Sequence, residues 1–254
     1  MENIKISERD ERLKRLDEIK KLGIDSYPAK ANRTHTISEI FNNFDNLEKE
    51  QKEFYIVGRL MTLRTHGNLT FAHLRDGTGK IQIALSKKEL DFFPCQNKAS
   101  DKTAASYKIF TKLIDMGDFV EIKGVCFITH KGEKSVMAKE WKILAKALRP
   151  LPEKWHGLQD EEERLRKRYL DMLFHPEIKE MVVKRAKFWQ SMREFMMKEG
   201  FLEVETPVLE NTAGGADARP FITHHNALNM DVYLRISTGE LWQKRLMAAG
   251  FEKT

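Results

Sequence analysis

The chain has 254 residues, of which 41% are hydrophobic and 32% are charged. This balance supports folded cores and excludes a disordered chain, and the length suits two domains of about 100 to 150 residues each. The N-terminus is charged and no apolar run approaches about 18 residues, so we expect neither a secretion signal nor a membrane span. The two cysteines, Cys95 and Cys126, form no CxxC pair. We therefore expect no disulfide framework and no zinc site, and a reducing, cytoplasmic location.

The positive charge is concentrated in the first part of the chain. Residues 1–150 hold 28 Lys and Arg against 21 Asp and Glu, a net charge of +7, whereas residues 151–254 hold 16 against 17, a net charge of −1. A positive domain attracts polyanions through counterion release, which makes nucleic acid the leading partner class. A lysine-rich surface that only keeps the protein soluble fits the charge equally well.

The first 150 residues predict one surface helix followed by a small β-barrel. Ser7 to Leu22 is the helix, with Ser7 and Asp10 spaced as in a capping box and Gly23 as its stop. Strand patterns and one helical pattern follow between Phe54 and Leu144. The strands cover 54–62, 69–76, 80–85, 119–129 and 135–144, and the helix covers 104–114. Five strands with a helix between the third and fourth are typical of an oligonucleotide-binding barrel, although another small barrel with an inserted helix has the same order.

The second part begins after a proline-stiffened joint, LRPLP at 148–152. A long amphipathic helix is predicted from Pro176, an accepted first-turn residue, to Gly200. A short strand, FLEVE at 201–205, is predicted next, and Thr206 and Pro207 close it. The sequence thus predicts a second domain that starts with a helix and a strand.

A polar face of the predicted barrel carries an aromatic residue. Alternation in the second strand places Phe71 on the same side as His73, while Gln82 points outward from the third strand and Arg59 adds a planar cation from the first. An exposed aromatic ring stacks on unpaired bases, an amide reads base edges, and a guanidinium binds phosphate. Alternatively, the N-terminal helix or a loop covers Phe71.

Candidate binding residues in the second part are fewer. Gly214 and Gly215 allow backbone to approach a ligand closely, although a plain loop before a strand is equally possible. Glu240 precedes a helical run and is placed to receive an ammonium group, although a first-turn glutamate commonly only favours the helix dipole. The side chains of His224 and His225 diverge in a strand, which argues against a shared metal.

In order along the chain, these segments resemble the class II lysyl-tRNA synthetases over nearly the whole length. The segments that carry the resemblance are VGRLMTLRTHGNLTFAHLRDGTGKIQ (57–82), FLEVETPVL (201–209), GGADARPFITHHNALNMDVYLRIS (214–237) and ELWQKRL (240–246). ARPFITHHNAL points to lysine rather than to the aspartate and asparagine enzymes. The implied fold is α+β with two domains. A helix and five-stranded OB-fold anticodon-binding barrel cover 1–148, a linker covers 149–175, and the beginning of an antiparallel class II catalytic domain covers 176–254.

The resemblance also implies roles for the candidate residues. Phe71 stacks on an anticodon base of tRNA(Lys), and Arg59 and Gln82 contact neighbouring bases. The long helix and the segment ending at Pro207 match class II motif 1, which forms the dimer interface in that family. The implied interface residues are Trp189, Met192 and Pro207.

The implied reaction joins lysine to ATP as lysyl-adenylate and then transfers the lysyl group to tRNA(Lys), with Mg²⁺ as the metal. Gly214, Gly215 and Glu240 match the amino-acid pocket, with Glu240 facing the α-ammonium. RISTGEL has one residue more than the RIAPEL typical of the family.

The catalytic arginines and the Mg²⁺ ligands are expected beyond Thr254, so the chain alone is expected to be inactive, and no catalytic or metal residue is assigned within it. The alternatives are a shortened tRNA-binding and dimerisation module without catalysis, and an asparaginyl- or aspartyl-tRNA synthetase of the same subclass.

Overall fold

A computed structural model describes residues 7–90, 102–152, 160–214 and 216–254, with the side chains of 102–104 excepted. The chain divides into two compact units, Met1–Lys154 and Trp155–Thr254. Cys95 and Gly215 lie outside the described residues. Within the described ranges, no helix combines the length and the apolar character needed to cross a membrane. The domain limits expected at 148 and 175 stay predictions.

The first unit is built on a closed five-stranded barrel. Its strands are β1 (Phe54–His66), β2 (Leu69–Arg75), β3 (Lys80–Ser86), β4 (Phe119–Ile128) and β5 (Lys134–Ala145), in the spatial order β1-β2-β3-β5-β4. All neighbouring strands are antiparallel except β3 and β5. These are the five predicted strands, and a helix, Lys102–Leu113, lies between the third and the fourth. The predicted OB-type barrel is confirmed.

The long first strand closes the barrel because it pairs on both sides. Residues Phe54–Arg59 of β1 pair with β4, and Arg59–His66 pair with β2. An irregularity between Leu60 and Thr62 marks a bulge on the β2 side. A bulge bends the strand and increases its twist, which suits a small barrel.

Three helices precede the barrel: α1 (Glu8–Lys21), α2 (Ile37–Asn42) and α3 (Phe44–Glu50). The Ser7 side chain caps α1 by accepting from the backbone N–H of Asp10, as the spacing predicted. The sequence analysis did not predict α2 and α3. Thr36 and Glu39 form a complete capping box at the start of α2, and this sequence signal was available for it.

The barrel core follows the alternation of the strands. Ala72 and Leu74 of β2 face inward, as do Ile81, Ile83 and Leu85 of β3, and all five are fully buried. This is the predicted inner face. The helix between β3 and β4, here α4, covers one end of the barrel. Within the pair Phe110 and Trp141 the ring centroids are 5.1 Å apart, in edge-to-face geometry.

A buried charge cluster lies where the α4–β4 loop meets the end of β5. The Lys146 ammonium lies 2.6 Å from the Asp118 carboxylate and 2.5 Å from that of Asp115, and the side chains of Lys146 and Asp118 are 2% and 0% exposed. The backbone N–H of Ala147 donates to Asp118 over 2.7 Å. Burial raises the pKa of the Asp118 carboxyl, and the Lys146 ammonium opposes that rise. Removal of the Lys146 charge leaves the buried Asp118 carboxylate without its cationic partner.

The helix α1 is attached to this region by a buried arginine. The Arg12 guanidinium donates to the carbonyl oxygens of Met116 and Ala147 over 3.0 and 3.1 Å, and it forms an ion pair with Glu8. Arg12 is 3% exposed. The charged sequence of α1 indicated a surface helix, yet this arginine closes the end of the barrel.

The second unit begins with helices α5 (Glu161–Arg166), α6 (Arg168–Phe174) and α7 (Pro176–Lys198). Helix α7 has Pro176 in its first turn and is followed by Gly200 with a φ of +83°, as the sequence predicted. The fully buried Asp171 carboxylate accepts from Arg164 over 2.9 Å and lies 2.7 Å from the His175 ring. These contacts connect α5, α6 and the start of α7.

A small antiparallel sheet and a short helical segment complete this unit. The strands are β6 (Leu209–Glu210), β7 (Ile222–His225) and β8 (Met230–Leu234), in the order β6-β8-β7. A π-helical turn, Gly239–Gln243, leads directly into α8 (Lys244–Ala248).

The strand predicted at 201–205 is wrong. The segment has no strand assignment, and the first strand of this unit starts at Leu209. A strand requires a neighbouring strand that completes its ladder of hydrogen bonds. The Leu202 N–H donates to the Lys253 carbonyl over 3.0 Å, but the described residues provide no strand alongside this segment. The apolar pattern alone therefore does not make it a strand.

Candidate functional site

The outer face of β1, β2 and β3 presents polar side chains in cross-strand rows. Phe71 lies opposite Arg64, and His73 lies opposite both Thr62 and Gln82. These side chains share one face because residues directly opposite each other in a sheet project to the same side. The bulge in β1 places Thr62 and Arg64, rather than the residues beside them, on this face.

A groove of about 500 Å³ opens over these rows. Phe71 and Gln82 line it, so the structure brings two of the predicted residues together. Phe71 is half-buried and borders the groove. Arg64 and Lys131 add positive charge to the walls. An aromatic ring beside cations in an open groove is suited to a base and its phosphate.

Arg59 lies on the same outer face but not among the residues that line the groove. Its guanidinium carbon lies 4.6 Å from the centre of the Phe119 ring, and Arg75 is its cross-strand partner on β2. Partial burial lowers the pKa of the Arg59 guanidinium from its ordinary value, which is far above neutrality. The group therefore remains a cation, held one row away from His73 and Gln82.

The sequence analysis did not predict one wall of the groove, the turn between β4 and β5. The Thr129 N–H donates to the Glu133 carbonyl over 3.1 Å, and the Thr129 hydroxyl accepts from the Glu133 N–H over 3.0 Å. Gly132 closes the turn with a φ of +79°. Thr129, His130 and Glu133 all line the groove. The sequence placed Thr129 at the end of the fourth predicted strand and carried no signal that this region borders the same groove as Phe71, because that proximity depends on barrel closure.

In the second unit, Gly214 and Glu240 lie on segments that touch. A Cβ atom on Gly214 would stand 3.4 Å from the Leu241 side chain, so the glycine loop packs against the turn that carries Glu240. Glu240 is exposed within the π-helical turn. Gly215 lies outside the described residues, so the structure places only one of the two glycines.

A π-helical turn lies where RISTGEL has its extra residue. The Gln243 N–H reaches back to the carbonyl of Thr238, five positions earlier, while the Trp242 N–H bonds the same oxygen. A single π turn holds one residue more than the corresponding α-helical turn. Glu240 lies inside this widened turn, and α8 follows the turn directly.

A buried carboxylate that the sequence analysis missed connects this turn to the sheet. Glu210 of β6 is 6% exposed and accepts a hydrogen bond from the indole N–H of Trp242. The Arg245 guanidinium lies 5.0 Å from the centre of the Trp242 ring and 3.9 Å from Glu210. Since Glu210 lies in a two-residue strand, sequence periodicity gave no signal for this contact.

One exposed face of α7 carries apolar side chains. Trp189 and Met192 are both about half exposed, and together with Met196 and Leu202 they line a groove of about 320 Å³. Pro207 does not line this groove; its carbonyl accepts from Arg235 over 3.0 Å. The structure therefore brings two of the three predicted interface residues together. An apolar surface of this kind is typical of a protein contact.

The adjacent histidines bind different partners. The His224 ring lies 2.9 Å from the Asp231 carboxylate, and the His225 ring accepts from the Leu228 N–H over 3.2 Å. Among the residues that the structure describes, no group of three or more His, Cys, Asp or Glu side chains is arranged so that it could hold a metal ion. No Mg²⁺ ligand is therefore assigned among these residues.

Both units match known domain families. Residues 54–144 match the OB-fold nucleic acid binding domain, and residues 160–254 match the tRNA synthetases class II (D, K and N). The chain thus combines an OB-type barrel with the first elements of a class II synthetase domain, the domain class shared by the aspartate, lysine and asparagine enzymes.

Curated relatives indicate which of the three enzymes this chain resembles most. The lysine–tRNA ligase of Carboxydothermus hydrogenoformans is 49% identical over 95% of this chain and 46% of the relative, and that of Pelotomaculum thermopropionicum is 47% identical over 95% and 45%. A lysine–tRNA ligase of Clostridium botulinum is 43% identical over 96% and 45%. The chain belongs to the class II lysyl-tRNA synthetase family. It spans about half the length of the curated relatives that it matches.

Proposed function

We propose that the protein carrying this chain is a lysine–tRNA ligase, which activates lysine with ATP as lysyl-adenylate and transfers the lysyl group to tRNA(Lys). The observation that carries the proposal is the high identity to lysine–tRNA ligases along both units. A cytoplasmic location follows from this function. ATP is the second substrate, and Mg²⁺ would supply neutralisation of the phosphate charge.

The barrel unit binds the anticodon of tRNA(Lys) in this proposal. Phe71 provides the stacking surface, Gln82 contacts a base edge, and Arg59 holds the neighbouring RNA from the adjacent row. The net charge of +7 in residues 1–150 supports RNA binding, because the phosphates release counterions when cations replace them.

The second unit contributes part of the lysine site. The Glu240 carboxylate would accept the α-ammonium group of lysine, and the loop with Gly214 and Gly215 would let the backbone approach the substrate. The contact between Gly214 and Leu241 supports a common site, because it fixes the loop against the Glu240 turn. Glu210 and Trp242 would hold this turn on the sheet.

Amino-acid-dependent pyrophosphate exchange tests the enzymatic part of the proposal. The protein carrying this chain, supplied with ATP and Mg²⁺, is expected to exchange pyrophosphate with lysine and not with asparagine or aspartate. Its affinity for the lysine tRNA anticodon stem-loop is expected to fall steeply with salt, as several phosphate contacts require. Exchange driven by asparagine or aspartate would overturn the lysine assignment. RNA binding without any exchange would instead indicate a binding module.

The protein is proposed to form a homodimer through the apolar face of α7 and the segment that ends at Pro207. Light scattering at micromolar concentration is expected to give the mass of a dimer. Trp189→Glu places a charge at the centre of this face and is expected to shift the protein to monomer, because an unpaired charge is costly to bury. Lys184→Glu, elsewhere on the same helix, is the control and keeps the dimer. A monomeric unsubstituted protein contradicts the proposal.

A further inference from the structure

His73 lies at the centre of the barrel groove, held by a threonine from the neighbouring strand. The Thr62 hydroxyl oxygen lies 2.7 Å from His73 Nδ1 and accepts from the His73 backbone N–H over 3.2 Å. The two residues are cross-strand partners. Thr62 therefore holds His73 through both the backbone N–H and the ring Nδ1, and Nε2 points away from Thr62.

The surroundings determine which nitrogen of the neutral ring carries the proton. Nε2 faces the Glu133 carboxylate at 3.6 Å, and a carboxylate oxygen favours an N–H there over a lone pair. Nδ1 is then the acceptor for the Thr62 hydroxyl. Burial is the main reason that the pKa of His73 lies below its usual value, and the positive charge of Lys80 adds to it. The lowered pKa favours the neutral ring, whose donor is then at Nε2, and the Glu133 carboxylate at 3.6 Å lies beyond hydrogen-bond distance of that donor.

Gln82, directly opposite His73 on β3, has a fixed amide orientation as well. The Ser135 hydroxyl donates to the Glu133 carbonyl over 3.1 Å and so accepts from the Gln82 side-chain N–H over 3.0 Å. The amide nitrogen is thus directed to Ser135, which leaves the Gln82 carbonyl oxygen as an acceptor on the groove face. The groove consequently offers one oriented donor beside one oriented acceptor.

We propose that His73 is a specificity-determining residue of the RNA site, whose Nε2–H donates to a carbonyl oxygen of an unpaired uridine, and that Thr62 is the positioning residue that sets this donor. Uridine presents a ring N–H between two carbonyl oxygens, so it meets the His73 donor and the Gln82 acceptor in either orientation. Cytidine has an amino donor in place of one carbonyl and no ring N–H. The inference rests on the proposed function, since an anticodon that decodes lysine codons is rich in uridine.

The test compares the affinity of the 254-residue chain for two forms of the lysine anticodon stem-loop, one with its uridines and one with cytidines at those positions. At about pH 8 the ring is neutral. The unsubstituted chain is expected to prefer the uridine form, and His73→Ala is expected to reduce this preference about threefold to tenfold, the value of one hydrogen bond. Thr62→Val removes only the hydroxyl. It is expected to reduce the preference for the uridine form by about half as much as His73→Ala does, on a logarithmic scale. A stem-loop with 3-methyluridine, which lacks the ring N–H, is expected to bind as poorly as the cytidine form.

Tyr27→Ala is the control, because Tyr27 is 79% exposed and does not line the groove. It is expected to leave the preference for uridine unchanged. Circular dichroism confirms that each variant is folded, and Thr62→Val still tests the donor should His73→Ala not fold. An undiminished preference in both variants overturns the role of His73. If the unsubstituted chain binds neither stem-loop more tightly than an unrelated hairpin, the proposed function fails instead.

Discussion

Lys146→Met is expected to destabilise the barrel unit by about 3–5 kcal/mol, the usual cost of leaving a buried charge without its partner. The substitution removes the ammonium group that lies against Asp118 and Asp115 and keeps most of the side-chain volume. The Asp118 side chain has no exposure through which water compensates the loss. Urea unfolding of the barrel unit, followed by circular dichroism, measures the change.

Two further variants test whether the loss of the Lys146 charge causes the destabilisation. Lys142→Met, on β5 four residues before Lys146, removes an ammonium group that donates to the Lys30 carbonyl at the surface, and it is expected to change stability by less than about 0.5 kcal/mol. Asp118→Asn added to Lys146→Met removes the stranded charge and is expected to recover part of the loss. Equal unfolding midpoints for Lys146→Met and Lys142→Met would show that the cluster contributes little.

Phe71→Ala is expected to weaken binding of the lysine tRNA anticodon stem-loop by about 1–3 kcal/mol, the range for the loss of one base stack. The ring borders the groove without forming the core, so the fold is expected to survive. Because the side chain is uncharged, the salt dependence of binding should keep its slope while the affinity falls. Fluorescence anisotropy at several salt concentrations measures both quantities.

The control variants separate stacking from general hydrophobic contact. Phe71→Trp keeps an aromatic face and is expected to retain most of the affinity, whereas Phe71→Leu keeps the apolar character and is expected to lose nearly as much as alanine. Tyr27 is 79% exposed and does not line the groove, so Tyr27→Ala is expected to bind RNA normally. Full affinity in folded Phe71→Ala would remove this ring from the RNA interface.

The barrel was predictable because its information is local. Alternation fixed which residues of β2 and β3 face inward, and the same alternation placed Phe71 and Gln82 on the outer face. The bulge in β1 was not predictable, because alternation alone does not show where the register shifts. The approach of the β4–β5 turn was not predictable either, because it depends on the pairing of β3 with β5, which are far apart in sequence. The groove itself, with Glu133 facing His73, is therefore a product of closure.

The incorrect and the missed sequence predictions share one physical cause, contacts with parts of the chain that are distant in sequence. The segment 201–205 has the composition of a strand, but no described strand pairs with it. Charge patterns assign Arg12 and Lys146 to the surface, since burial of a cation is favourable only where specific acceptors receive it. Those acceptors, the carbonyl of Ala147 for Arg12 and the carboxylate of Asp118 for Lys146, come from distant parts of the chain.

Closure of the barrel also bears on how its specificity can evolve. Each of the five strands pairs with a neighbour on both sides along part of its length, so the barrel is closed. The outward side chains of β2 and β3 contribute nothing to the backbone hydrogen bonds between the strands. Substitutions at positions such as His73 and Gln82 can therefore accumulate at little cost to folding, and one backbone can present different sets of side chains on its outer face.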